Sequence, residues 1–293
     1  MKVVIIGGVA GGATAAARIR RLDEKAEIVV FERSGFISYA NCGLPYYIGG
    51  TIEDEGDLTL QTPESFYKRF RVKMNVRHEV TALHPESKMV TVKNIENGTV
   101  FTETYDKLIL SPGAKPIKPN FEGIDSDKIF TLRTVEDTLK IKKFINEKYP
   151  KSAVVVGGGF IGIEVAENLR ELGIDVTLVE AADQLMAPFD SDMASFIHAE
   201  LRKNGVNLML GRFVEGFADT DDGICVKLKN SPTLHANMVV MAIGVAPETT
   251  LAKDAGLELG IKGSIVVNDR METSVTDIYA VGDAVQIRNF VTD

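Results

Sequence analysis

The 293-residue chain has only two cysteines, four histidines and no tryptophan, and its acidic residues outnumber its basic ones. Two cysteines as far apart as Cys42 and Cys225 cannot build a disulfide framework, which suits a reducing, cytoplasmic setting. A net charge of −8 leaves no global basic field for nucleic acid or anionic lipid, so an anionic ligand would need a local basic patch. No run of about eighteen apolar residues is free of glycine or charge, so no membrane span is expected. Met1–Ala17 has the lysine-then-apolar make-up of a secretory signal. Its glycines fall where a strand should turn into a helix, and we read it as structure. A composition of 45% hydrophobic and 25% charged residues excludes disordered and fibrous classes, and the length suffices for two domains.

What the chain does have is glycine, placed in two copies of one pattern. The apolar run Val3–Ile6 leads into Gly7-Gly8-Val9-Ala10-Gly11-Gly12, an alanine-rich helical stretch to about Leu22, and a second run, Ile28–Phe31, ending at Glu32. The pattern returns as Ala153–Val156, Gly157-Gly158-Gly159-Phe160-Ile161-Gly162, a helical stretch to about Leu172, and Val176–Val179 ending at Glu180. Each is a βαβ unit, so the expected fold is α/β with two Rossmann-like dinucleotide-binding domains. In such a turn the first glycine permits the bend and the second lets the main chain approach a pyrophosphate. The third lets helix and strand pack closely, with the phosphates on the helix N-terminus. Glu32 and Glu180 each follow the last glycine by about 20 residues, the interval of the acid that binds a ribose hydroxyl. A carboxylate repels a 2′-phosphate, and Ala181 and Ala182 offer no arginine to hold one, so NADH is favoured over NADPH in the second site. The first cluster departs from the pattern, because Val9 takes the middle glycine position. Two such units, one at the very N-terminus, suggest FAD in the first and a nicotinamide cofactor in the second.

Between the repeats, residues 76–110 read as short strands and turns, Leu108–Leu110 as a buried strand ending at Ser111-Pro112-Gly113, and Lys115–Pro119 as a crossover. Val239–Ile243 is another buried strand, ending in Gly244, and Ile278–Val281 leads into Gly282-Asp283. The expected division is residues 1–114 with 245–293 for FAD and residues 115–244 for NAD(H). Cys42 lies in Ser38–Gly50 and admits two readings, a reagent or a small packed side chain. Pro45 suits the first turn of a helix, which puts Asn41–Gly43 at a helix N-terminus where the dipole favours a thiolate. Polar Ser38 and Asn41 nearby favour the reagent. Cys225 reads as a packed or half-exposed strand residue. His78, His84, His198 and His235 fall in no motif and read as surface or strand residues, and no metal site is expected.

With these motifs the chain resembles the pyridine nucleotide-disulfide oxidoreductases of the glutathione-reductase type, over essentially its whole length. Thr273–Asp283 matches that family's second FAD motif. The resemblance implies FAD contacts from Gly7, Gly8, Val9, Ala10, Gly11, Gly12, Glu32, Arg33, Val80, Ser111, Pro112, Gly113, Arg133, Gly282 and Asp283. It implies nicotinamide-cofactor contacts from Gly157, Gly159, Phe160, Ile161, Gly162, Glu164, Glu180 and Gly244, with Phe160 where an aromatic often shields the flavin. Most of the family carries two neighbouring redox cysteines, whereas Cys42 stands alone, which points to the single-cysteine branch. There Ser38–Tyr47 is similar to the coenzyme A-disulfide and persulfide reductases, with Tyr39 in place of their usual phenylalanine. The NADH peroxidases and oxidases of that branch, the alternative enzyme, typically have a histidine where this chain has Ala10.

Thr14, Arg18 and Arg21 form one stripe on the first helix, with Arg20 nearby. Arginines near a helix C-terminus are commonly solvated and favoured by the dipole. The resemblance instead implies that Thr14, Arg18, Arg21, Ser38 and Asn41 contact coenzyme A, where guanidinium forks match phosphate oxygens. Catalysis would rest on Cys42, passing electrons from NADH through FAD to a disulfide or persulfide. A flavoprotein redox sensor with little turnover is the alternative of another class. The family's C-terminal interface domain is not found in this chain, so a homodimer is expected only where the natural protein has one.

Overall fold

The computed structural model describes residues 1–289 and 291. Positions 290, 292 and 293, which fall within the range expected for the first domain, lie outside the described residues. The chain divides into two compact units. Met1–Ala40, Thr59–Lys115 and the chain from Ala246 form the first; Asn41–Leu58 and Pro116–Val245 form the second. The helices that position the residues of interest are Ala10–Leu22 (α1), Leu44–Gly49 (α2), Pro63–Phe70 (α3), Val135–Lys148 (α4), Phe160–Glu171 (α5) and Ser191–Lys203 (α6).

The first unit is built on a five-stranded parallel sheet in the order Ile278–Ala280, Lys107–Leu110, Lys2–Ile6, Glu27–Phe31, Lys73–Asn75. After a charged first residue each, Lys2, Glu27 and Lys107, its central strands are continuously apolar because both faces are covered. Val4 and Ile6 point to one face, joining Val29 and Phe31 in a core shared with Val80, Leu83, Val90 and Val92. Those four belong to an antiparallel three-stranded sheet of His78–His84, Met89–Asn94 and Val100–Thr104. Val3 and Ile5 point the other way and pack with Ala13 and Ala16 of α1. The small residues of α1 let it lie close on the sheet. Each valine, isoleucine or phenylalanine side chain fully buried in this way stabilises the unit by roughly 1.5–3 kcal/mol.

The second unit repeats the plan. Its parallel sheet runs Asn207–Met209, Asp175–Val179, Ser152–Val156, Met238–Met241, Ile129–Thr131. An antiparallel sheet of Val214–Asp219, Ile224–Leu228 and Leu234–Ala236 covers one face, sharing a core with Val154, Val156, Val179, Val239 and Met241.

The segment Asn41–Leu58, expected in the first domain, packs with the second unit instead. The cause is a close helix contact. Gly49 of α2 lies against the Asn168 side chain of α5, where any larger residue would collide. The Lys142 ammonium on α4 donates to the carbonyls of Tyr47 and Ile48, both at 2.9 Å, closing the C-terminal turn of α2. It also lies 5.3 Å from the centre of the Tyr47 ring. No helix among the described residues is long and apolar enough to cross a membrane. None of them form a group of three or more His, Cys, Asp or Glu residues that could hold a metal ion.

Candidate functional site

Both units carry the same local construction at the carboxyl end of the central strand. Gly7 and Gly157 turn the chain with φ of +98° and +111°, a left-handed conformation that favours glycine. Their N–H groups donate to the last residues of the neighbouring strand, Phe31 and Val179, both at 2.8 Å. A side chain at Gly12 would strike the Gly7 carbonyl, and one at Gly162 would strike that of Gly157. These two glycines therefore let α1 and α5 start directly over the turn.

The acids complete the match. The Glu32 carboxylate accepts the Gly8 N–H at 2.7 Å and the Ser34 N–H at 2.8 Å. Glu180 accepts the Gly158 N–H at 2.6 Å and the Ala182 N–H at 2.7 Å. Each carboxylate is fixed beside the glycine turn and keeps acceptor capacity for ribose hydroxyls. Neither α1 nor α5 has a side-chain cap on its first N–H groups. A methyl at Gly159 would meet no atom of the described residues within 4 Å. An uncapped helix start, an open space over the turn and a fixed acid are what a dinucleotide's pyrophosphate and ribose require, and the second cradle has all three; the first shares the uncapped start and the fixed acid but carries Val9 where the second has Gly159.

Around the first cradle, Ser111 donates its N–H to the Ile6 carbonyl at 2.7 Å and sets its hydroxyl against Gly11 and Gly282. The Val281 N–H donates to Leu110 at 2.9 Å. The loops Gly7–Gly12, Ser111–Gly113 and Gly282–Asp283 thus gather at the ends of adjacent parallel strands, the usual ligand edge of such a sheet. Arg33 is exposed, 3.9 Å from Glu248. Val80 is buried in the core, on a strand where it pairs with Val92. Arg133 belongs to the second unit, where its N–H donates to Asp137 ahead of α4.

Around the second cradle, Phe160 is 63% exposed and Ile161 half-buried. Gly244 takes a left-handed φ of +111° and accepts the Ile117 N–H at 3.0 Å. Burial, followed by the neighbouring Glu167, holds the Glu164 carboxyl above its ordinary range.

Cys42 is exposed, in a 3-10 turn, Asn41–Gly43, that runs into α2 with Pro45 in the helix's first turn. The Asn41 Oδ1 beside it is buried without a hydrogen-bond partner. One turn on, Tyr46 is held above the usual phenol range by burial, and then by Glu164, Glu167 and the Cys42 thiol. Cys225 lies opposite His235 across a strand pair, its Sγ 3.3 Å from Nδ1.

The substrate candidates fall in both units. Thr14, Arg18, Arg21 and Ser38 belong to the first, Asn41 and Cys42 to the second. Thr14, Arg18 and Arg21 are exposed along α1. Arg20 differs from its neighbours: its guanidinium donates to the carbonyls of Phe70, Arg71, Asp23 and Glu24 and ties α1 to the end of α3. Ser38 is left-handed, with φ +48°, and donates its N–H to the Gly8 carbonyl at 3.0 Å. Sequence reasoning missed Lys142 and Asn168, which hold α2. It also placed His198 among surface or strand residues, whereas His198 is half-buried on α6 and accepts the Leu185 N–H.

Residues 1–292 match the family described as pyridine nucleotide-disulphide oxidoreductase. A coenzyme A disulfide reductase of Staphylococcus aureus is 40% identical over 282 residues, 96% of this chain and 63% of that protein. Reduced CoADR-RHD of Bacillus anthracis superimposes with a TM-score of 0.97 at 49% identity, over 99% of this chain and 52% of its own. A water-forming NADH oxidase of Lactobacillus brevis, bound to NADH, gives a TM-score of 0.90 at 34% identity, over 97% of this chain and 62% of its own. The chain therefore spans less than two thirds of the length of these relatives.

Proposed function

The chain belongs to the pyridine nucleotide-disulphide oxidoreductase family, and from that premise we propose that it reduces a coenzyme A disulfide or persulfide through Cys42, with FAD in the first cradle and NADH in the second. The observation that carries this reading is the duplicated cradle, in which Glu32 and Glu180 hold the same relation to their glycine turns. A protein with two dinucleotide sites and an exposed thiol at Cys42 is suited to moving an electron pair from one cofactor, through the other, to sulfur.

When bound, the two cofactors would supply that electron pair, and every remaining task falls to side chains and main chain of this protein. The turns at Gly7 and Gly157 and the starts of α1 and α5 would hold pyrophosphates, and Glu32 and Glu180 would accept ribose hydroxyls. A carboxylate at position 180 supports NADH over NADPH, because a 2′-phosphate would sit against a fixed negative charge. Ser111–Gly113, Arg33, Val80, Arg133, Gly282 and Asp283 are proposed for FAD, and Phe160, Ile161, Glu164 and Gly244 for the nicotinamide cofactor.

Cys42, as thiolate, attacks one sulfur of the substrate's S–S bond. That bond breaks, a thiol or sulfide leaves with its electron pair and takes up a proton, and Cys42 is left in a mixed disulfide. Reduction of that mixed disulfide by two electrons, with the departing sulfur taking up one proton, would return Cys42 to the thiolate and release the remaining thiol. Arg18 and Arg21, exposed and without a hydrogen bond or ion pair among the described residues, are proposed to hold the phosphates of coenzyme A, with Thr14, Ser38 and Asn41 as polar contacts. Arg20 is excluded from that role because main-chain carbonyls occupy it.

The test is anaerobic NADH oxidation by the full-length protein with coenzyme A disulfide, repeated with Cys42→Ser and with Arg18→Ala/Arg21→Ala. The reading expects turnover that vanishes with Cys42→Ser and a raised KM for the disulfide in the arginine variant. The relation to the NADH oxidase supports a second reading. No disulfide turnover, with fast NADH consumption once oxygen is admitted, would select it and return Arg18 and Arg21 to a solvated helix end.

A further inference from the structure

His198 sits on α6, and its Nε2 accepts the Leu185 N–H at 3.0 Å. Nε2 therefore carries a lone pair and the ring proton is on Nδ1, the neutral form. Burial, then the positive charge of Arg202 one turn on, hold His198 below the ordinary histidine range, which favours that form at neutral pH.

Leu185 lies in the segment that leaves Glu180 and runs back to α6. This segment bears on the second cradle at two points. The Ala182 N–H donates to the Glu180 carboxylate, and the Met186 N–H donates to the Gly158 carbonyl at 2.9 Å. The Leu185 side chain is fully buried against Gly158, where a larger residue would collide with it. Met186 is held at φ +51°, a left-handed conformation that a non-glycine residue keeps only where its surroundings over-determine it. The Gln184 amide donates to the Phe189 carbonyl, and the Phe189 N–H to that of Met186, both at 2.8 Å, closing the far end. Between these ties, the hydrogen bond to His198 joins the segment to α6.

We propose that His198 is a positioning residue for the second cradle: by accepting the Leu185 N–H it fixes Leu185 and Met186 against Gly158 and so sets the affinity for the adenosine-ribose end of a nicotinamide dinucleotide. The inference rests on reading the second cradle as the nicotinamide-cofactor site. It adds a residue that no glycine or acid motif contains and that acts through the Leu185 main chain.

The experiment uses the full-length protein with His198→Leu, which removes the acceptor, and His198→Gln, whose amide oxygen can take the place of Nε2. NADH binding is measured by anaerobic calorimetry on each flavin-loaded protein after its flavin has been fully reduced, so that no hydride is transferred, with KM and kcat in parallel. In His198→Leu the NADH dissociation constant is expected to rise about tenfold, with the change falling on KM rather than kcat. His198→Gln should recover to within about threefold of the natural protein. An unchanged dissociation constant in His198→Leu overturns the proposal. So does equal loss of affinity in both variants alongside an equal fall in Tm, which would make the histidine only structural. Failure of the natural protein to bind NADH defeats the underlying reading instead, and the proposal with it.

Discussion

Alanine at Gly159 and alanine at Gly162 should fail in opposite ways, although the two glycines are three residues apart in one turn. Gly162 is buried in the first turn of α5 and faces the Gly157 carbonyl. Alanine in a helix ordinarily gains about 1 kcal/mol over glycine. Overpacking costs about 1–3 kcal/mol, and here the obstacle is a main-chain oxygen that lies far inside contact distance of the added methyl and cannot rotate aside, which puts the cost in the upper part of that range, about 2–3 kcal/mol. A net loss of about 1–2 kcal/mol follows, a fall in Tm of about 2–8 °C for a unit of this size. Gly159 is different. Its φ of −83° and ψ of −175° suit any residue, and a methyl there meets no atom of the described residues within 4 Å. Val9 occupies the matching position of the first cradle, so the main chain accepts a side chain there. Gly159→Ala should cost at most about 1 kcal/mol as a poorer helix cap. It should weaken NADH about tenfold, about 1.4 kcal/mol, by narrowing the space over the turn rather than closing it, since the first cradle is read as holding a pyrophosphate beside Val9. Circular dichroism melts without ligand and NADH calorimetry separate the two effects. Full NADH affinity in Gly159→Ala would show that the ligand does not cross that space, and an unshifted Tm in Gly162→Ala would show that helix and turn can separate at little cost.

Lys142→Met keeps the aliphatic stem but removes the donor to two carbonyls at the end of α2. It should cost about 1–3 kcal/mol and speed alkylation of Cys42, and an unchanged alkylation rate would deny that α4 steadies the Cys42 segment. Arg20→Ala should lower Tm, whereas Arg18→Ala and Arg21→Ala should stay within about 0.5 kcal/mol of the natural protein; equal effects would contradict the division between tied and untied arginines. Glu164 gives a pH signature. Its folded pKa is raised, so the folded state holds the proton more tightly and stability falls as pH climbs from the ordinary carboxylate range through the raised value. Glu164→Gln should flatten that limb in Tm measured from about pH 4 to about pH 7, and a limb of unchanged slope would assign it to another group.

The two cradles were legible because their requirements are local. A strand, a glycine turn, a helix and an acid at the end of the next strand are consecutive in sequence, and Glu32 and Glu180 fold back on glycines of their own βαβ unit. The position of Cys42 was only half legible. Pro45 announced the helix start, but what fixes α2 is a lysine and an asparagine from helices about a hundred residues away, and no periodicity encodes that contact. The arginines of α1 make the same point. Helical spacing sets Arg20 off the stripe of Arg18 and Arg21, but only the carbonyls at the ends of α1 and α3 show that Arg20 is tied down. His198 escaped because its partner is a main-chain N–H, which every residue but proline possesses and no motif can mark.

The discontinuity of the two units has a consequence for synthesis. The parallel sheet of the first unit holds the strand Lys107–Leu110 between Lys2–Ile6 and Ile278–Ala280. On a ribosome, Lys107–Leu110 emerges with one edge open and keeps it open while the whole of 116–245 is made. Those residues, with 41–58 already outside, include every part of the second unit, which can fold to completion during that interval. An open parallel edge is a template for pairing with another chain, and here it persists until the last strand arrives. The unit whose translation starts first is the one completed last, so a ribosome that stalls after residue 245 would release a finished second unit joined to an unfinished, pairing-prone first one.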